Sequence, residues 1–219
     1  YNQSFYFQKK NIEYLYTHFI KNYPKSLIFI ADDLKAYNFL IKDEKSDRNI
    51  ALEIARKQGA EIKNMVVNTL KKFNDKSVRI MKWIDLEETL AFKTIFQNVK
   101  NEIKADSDLE IIVEQFIKYN LHKFGVNKNS ESKIYERLYI HNEIAMSIFI
   151  TEVLGYSTEL WDKLPEINSP DPLKYLFENK KETIKRITGK TTLDRQLMTL
   201  DAEQSTPTHL HTHLQAAQT

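Results

Sequence analysis

Ser26-Leu27-Ile28-Phe29-Ile30-Ala31, followed at once by Asp32-Asp33, is the stretch that decides the fold. A short, unbroken apolar run without polar alternation is the pattern of a strand covered on both faces in a parallel sheet. The acidic pair then falls at the strand's C-terminal end. Further on, Ser77-Val78-Arg79-Ile80-Met81-Lys82-Trp83 reads as a second strand, with Val, Ile and Trp suited to a pleated surface. Between the two lie a short helical stretch, Leu34 to Leu40, and a long one from about Arg48 to Phe73. The long one is expected to bend or break at Gly59, because glycine in a helix interior costs about 1 kcal/mol relative to alanine. Strand, helix, strand implies a parallel crossover. The expected fold class is therefore α/β, a Rossmann-like parallel sheet flanked by helices in a single domain.

The flanking sequence fills in the helical layers. Ile12, Leu15, Phe19 and Ile20 recur at helical spacing between Lys9 and Asn22, and Pro24 is a stop signal. From Glu87 to His122 the pattern gives two helices broken near Ala105-Asp106-Ser107, and residues Gly125 to Ser132 form a polar loop. A long helix runs from about Lys133 to Leu154, where Gly155 suits a left-handed cap. Leu160 to Leu164 reads as one more short strand, and Ser169-Pro170-Asp171-Pro172 opens a final helix to about Ile187. The domain thus spans residues 1–188. Residues 189–219 form a polar tail poor in core-building side chains. Three of the six His lie there, at 209, 211 and 213, with no carboxylate or loop scaffold beside them. No metal site is assigned to them.

Composition narrows the function classes. At 219 residues the chain has the length of one domain, able to bury roughly 70% of the surface its unfolded form exposes. Thirty-two Lys and Arg stand against thirty Asp and Glu, so the net charge of +2 does not announce a nucleic-acid binder and any basic surface is local. With no Cys there is no disulfide, thiolate metal site or cysteine nucleophile. The longest apolar runs fall far short of the ~20 residues that cross a bilayer. A cytoplasmic protein with no membrane partner is the plain reading.

Several stretches, taken in order, carry more. Ser4-Phe5-Tyr6-Phe7, then Leu27-Ile28-Phe29-Ile30-Ala31-Asp32, then Ile54-Ala55-Arg56-Lys57-Gln58-Gly59, then Tyr139-Ile140-His141-Asn142-Glu143-Ile144, then Val153-Leu154-Gly155 resemble segments of the cyclodipeptide synthases. These are tRNA-dependent enzymes whose fold is similar to the catalytic domain of class I aminoacyl-tRNA synthetases. The likeness extends from about Ser4 to Phe177. It implies an aminoacyltransferase that takes amino acids from two aminoacyl-tRNAs in succession and releases a cyclic dipeptide, a diketopiperazine, through a seryl acyl-enzyme. An aminoacyl ester is already activated, so no cofactor is implied.

Tyr139 and Glu143 match the family's Tyr-x-x-x-Glu motif. Positions i and i+4 share a helix face, so a phenol and a carboxylate point at one ligand. The resemblance gives them the aminoacyl amine, with Glu143 as general base and Tyr139 orienting the amine or passing a proton. Arg56, Lys63 and Lys71 lie seven and eight residues apart, within an arc of about 80° on one helix. With Lys57 and Lys72 beside them they form a candidate phosphate-tracking stripe for tRNA, against the plainer reading of a solvated lysine-rich face. Ile28 and Ile30, on one face of the first strand, and Met146, seven residues after Tyr139, are the candidate amino-acid pocket.

Two positions depart from the family pattern. The nucleophilic Ser, in a Gly-x-Ser setting, aligns on or next to Tyr1, so it is expected just upstream of this sequence or is absent. Ser4 matches a downstream position. The second family tyrosine, often followed by Pro, aligns with Leu164-Pro165 unless Tyr156 serves instead. Both departures favour the competing reading, a catalytically silent tRNA-binding or regulatory protein with the same fold.

Overall fold

The computed structural model describes residues 9–18, 20–22, 26–42, 47–74, 77–123, 125, 130–156 and 170–189. The expectations for Ser4 to Phe7, for a strand at 160–164, for Leu164-Pro165 and for the tail histidines lie outside the described residues. Strand β1 (Ser26–Ile30) is buried along its whole length. It pairs in parallel with β2 (Val78–Lys82), in register from Ser26 opposite Val78 to Ile30 opposite Lys82. Among the described residues the sheet has these two strands, and helix dominates the rest. The parallel α/β arrangement is present, while a full Rossmann sheet is not.

The sheet separates two apolar layers. On one side Ile28 packs with Ile12 and Tyr16 of α1 (Lys9–His18), with Ile20, and with Val66 and Leu70 of α3 (Arg48–Lys72). On the other side Leu27, Phe29 and Met81 join the larger core, built by α5 (Leu90–Ala105), α6 (Ser107–Lys123), α7 (Ser130–Ile148), α8 (Pro172–Asn179) and α9 (Lys181–Thr188). Burial on both faces is why β1 has no polar alternation to read.

Several boundaries differ from the sequence expectation for local reasons. Asp32 and Asp33 are not the end of the strand but the first turn of α2 (Asp32–Lys42), where carboxylates suit the partial positive charge of a helix start. Likewise Trp83 leaves the strand and opens α4 (Trp83–Glu87). Helix α3 runs unbroken through Gly59. A Cβ at that position would sit 2.3 Å from the Cβ of Asp32, so glycine is there to let two helices touch rather than to bend one. The break at Asp106 is as expected, its Oδ1 accepting from the backbone N–H groups of Asp108 and Leu109. The final helix is two helices, split at Lys180, whose ammonium reaches Asp106 at 2.8 Å.

Helix α7 is the central element. Every residue from 139 to 150 is buried, and it packs against α2, α5 and α6. It ends in a widened turn, Phe149–Val153, where the N–H of Leu154 donates to the carbonyl of Phe149 at 3.0 Å. Gly155 follows at φ +69°, the left-handed cap its position called for.

Candidate active site

A helix buried on all sides is normally apolar on all sides. Helix α7 instead buries Glu136, His141, Asn142, Glu143 and Ser147. Such a concentration of buried polar groups makes this stretch a candidate site. Tyr139 and Glu143 retain only 4% and 2% of their exposure. The Tyr139 hydroxyl lies 3.5 Å from Glu143 Oε1, at the outer limit of a hydrogen bond and open to tightening around a ligand. The structure therefore brings together the phenol and carboxylate that the spacing pairs, and turns both inward.

Next to them the sequence reading missed Asn142 and Tyr37. Asn142 Nδ2 donates to the Leu138 carbonyl at 2.8 Å and lies 3.5 Å from the Tyr37 hydroxyl on α2. Burial pushes the Tyr37 phenol above its ordinary value, an effect that Arg48 opposes and Glu87 reinforces. Glu87, at the end of α4, is itself raised, first by burial and then by the negative charge of Asp33, while Arg56, Arg48 and a hydrogen bond from Trp83 pull it down. No local motif marks these residues, because they come from three elements far apart in the chain.

The acidic pair opening α2 is buried and ion-paired. Arg56 forks onto Asp33, Nε donating to Oδ1 at 2.9 Å and Nη2 to Oδ2 at 2.6 Å. The hydrogen bond to Asp33 raises Arg56 further above its already high value. Asp32 accepts from the backbone N–H of Trp83 at 3.1 Å and meets the Lys82 ammonium at 2.6 Å. These contacts tie the start of α2 to α3 and to the end of β2, where parallel sheets present ligands.

The basic stripe on α3 is less uniform than its spacing. Arg56 holds Asp33, and Lys72 reaches Glu13 on α1 at 2.5 Å. Lys57 and Lys71 are exposed and Lys63 is half-buried, with Glu53, Ile54 and Glu61 exposed on the same helix. The expected pocket is divided as well. Ile28 lies in the α1 and α3 layer, and alternation puts Ile30, fully buried, on that same face. Met146 belongs to the other layer, together with Tyr139, Leu27 and Phe29. Ile28 and Met146 therefore lie in different apolar layers; the β1 residues that share the core with Tyr139 are Leu27 and Phe29.

Among the described residues, no group of three His, Asp or Glu side chains is placed to hold a metal ion. No described helix is long and apolar enough to cross a membrane.

No protein-family profile and no curated protein matches the sequence. Solved structures do. A structure described as a CDPS, from Fluoribacter dumoffii, superposes with a TM-score of 0.60 at 13% identity, covering 68% of this chain and 68% of that one. AlbC, a cyclodipeptide synthase from Streptomyces noursei, superposes with a TM-score of 0.59 at 10% identity, covering 98% of this chain and 92% of that one. The chain thus has the fold of the cyclodipeptide synthase structures, in keeping with the ordered resemblance of its motifs.

Proposed function

We propose that this protein is a tRNA-dependent cyclodipeptide synthase, an aminoacyltransferase that joins amino acids from two aminoacyl-tRNAs into a diketopiperazine. The observation that carries the reading is the inward-facing pair of Tyr139 and Glu143 on the buried helix α7, within a fold shared with cyclodipeptide synthase structures.

The chemistry follows from an ester that is already activated. A serine hydroxyl attacks the first aminoacyl carbonyl, the tRNA 3′ oxygen leaves, and an acyl-enzyme forms. The amine of the acyl-enzyme then attacks the carbonyl of the second aminoacyl-tRNA, whose ester bond breaks as the tRNA 3′ oxygen leaves to give a dipeptidyl-enzyme. Each attacking amine must lose a proton before its new amide is neutral. Glu143 takes that proton and Tyr139 holds the amine in line, a role for which general acid–base groups contribute about 10²- to 10⁴-fold. Attack of the distal amine on the seryl ester closes the ring and frees the serine. Leu27, Phe29 and Met146, which share the apolar layer of Tyr139, are the side chains we assign to the aminoacyl group in place of the Ile28 face. Lys57, Lys63 and Lys71 are assigned to tRNA phosphates, with Arg56 and Lys72 contributing less because each is already ion-paired.

The test is mass spectrometry of cells expressing the complete gene, and of the purified product supplied with charged tRNAs. A cyclic dipeptide that disappears in Glu143→Gln supports the assignment. A folded protein that binds charged tRNA and releases no cyclic dipeptide is instead the silent tRNA binder.

A further inference from the structure

The face of α7 turned away from Tyr139 and Glu143 carries a group that the synthase reading does not use. His141 lies two positions from each, about 200° around the helix from both. It is 5% exposed, and neither Nδ1 nor Nε2 has a hydrogen-bond partner. A buried imidazole left unpaired on both nitrogens is costly, because each lost water contact is replaced by nothing. Structures seldom keep such a group without a use.

Its surroundings are cationic. Arg137 precedes it by one helical turn, and Lys100 and Lys104, one turn apart on the packed helix α5, are close enough for their charges to act on the ring. These three, with burial as the largest cause, hold the imidazole at a pKa of about 4, so it is neutral near pH 7. Arg137 and Lys133 share Glu114 on α6 as their counter-ion. Lys100 lies over the Phe96 ring at 5.7 Å, and among the described residues neither it nor Lys104 has an acidic partner. Burial grades outward from His141 through half-buried Lys100 and Arg137 to exposed Lys104.

We infer that the α5 and α7 face around His141 is a phosphate-binding site, with the imidazole N–H at its floor and Lys100, Lys104 and Arg137 around it. A phosphate supplies what this place lacks: acceptor oxygens for the ring N–H and for donors on two helices, and up to two negative charges against cations that one glutamate leaves uncompensated. A carboxylate would bring one charge and two oxygens to the same donors. The phosphate belongs either to a small molecule or to an RNA backbone, both of which present the same oxygens. The inference stands on α5 and α7 alone and does not depend on the synthase reading.

The experiment titrates the full chain with inorganic phosphate at constant ionic strength, balanced with sodium chloride, following thermal stability and the ring resonances of His141. The expected result is a saturable rise in melting temperature with a saturable shift of the His141 signals. Lys100→Ala with Lys104→Ala, both changes toward the surface, should weaken phosphate binding by about tenfold per cation removed, while Lys174→Ala on α8 leaves it unchanged. A short RNA hairpin added as competitor separates the sources: displacement of phosphate assigns the site to a nucleic-acid backbone, and retention assigns it to a small phosphate compound. Absence of a saturable phosphate effect, or one that the double variant does not weaken, overturns the site.

Discussion

Helices α3 and α7 both carry candidate functional side chains at helical spacing, and the structure treats them in opposite ways. On α7 the spaced pair turns inward, and the helix is buried around its whole circumference through residues 139–150. On α3 the spaced cations lie on a half-exposed helix, and two of the five are already bound, Arg56 to Asp33 and Lys72 to Glu13. Periodicity says which side chains share a face. It does not say whether that face looks at protein or at water, nor whether a charge on it is already neutralised. Chemistry is therefore assigned more firmly to α7, where desolvation makes each polar group matter, than to α3, where solvent screens each charge.

The sharpest way to break this contrast is Glu143→Gln. The change removes the proton acceptor of the proposed mechanism but keeps the shape of the side chain, so on that proposal a folded variant should lose about 10²- to 10⁴-fold in cyclic dipeptide release. Tyr139→Phe should lose less, because the proposed base remains. Retained release in a folded Glu143→Gln protein would place the amine elsewhere and make α7 an ordinary core helix.

A second effect on α7 concerns pH. His141 is held near pKa 4 by burial together with Arg137, Lys100 and Lys104, while an imidazole in the unfolded chain titrates near 6.5. Between these values the unfolded state binds a proton that the native state refuses, so stability rises with pH. The contribution is complete above about 6.5 and lost as pH falls toward 4, amounting to about 3 kcal/mol from the size of the shift. Denaturant melts of His141→Leu across that window should be flatter than wild type by a similar amount. Identical pH profiles would show that the ring is not buried in the neutral form.

How much of this was legible follows from range. The β1 run and the Tyr139 to Glu143 spacing are local patterns, and both were readable. Which face of β1 meets Tyr139 was not, because a strand buried on both sides presents Ile28 and Phe29 as equals. The same limit hid the roles of Gly59 and Arg56. Gly59 faces Asp32, 27 residues earlier by number, and its helix continues because the contact requires a missing Cβ. Arg56 finds Asp33 across 23 positions, a pairing that no one-helix wheel contains.

That pairing yields the third prediction, which separates structure from binding on α3. Arg56→Ala leaves the 5%-exposed Asp33 carboxylate without its fork, while Arg56 itself is 48% exposed, so solvent takes up part of the loss. The expected cost is about 1–3 kcal/mol in thermal or denaturant unfolding. Lys71→Ala, on an exposed position of the same helix, should lie within about 0.5 kcal/mol of wild type. Equal effects of the two variants would mean that the fork contributes nothing beyond surface charge.

The smallest effect tests what remains of the stripe. A cation already neutralised by a buried carboxylate releases few counter-ions when RNA binds, whereas an exposed lysine on a phosphate releases about one. Lys63→Ala with Lys71→Ala should therefore lower the slope of log affinity for tRNA against log salt by about two, and Arg56→Ala, compared at matched stability, by well under one. The contrast between helices predicts that order. If Arg56→Ala lowers the slope as much as the lysine pair does, the fork opens on binding and Asp33 is a latch that RNA phosphate displaces.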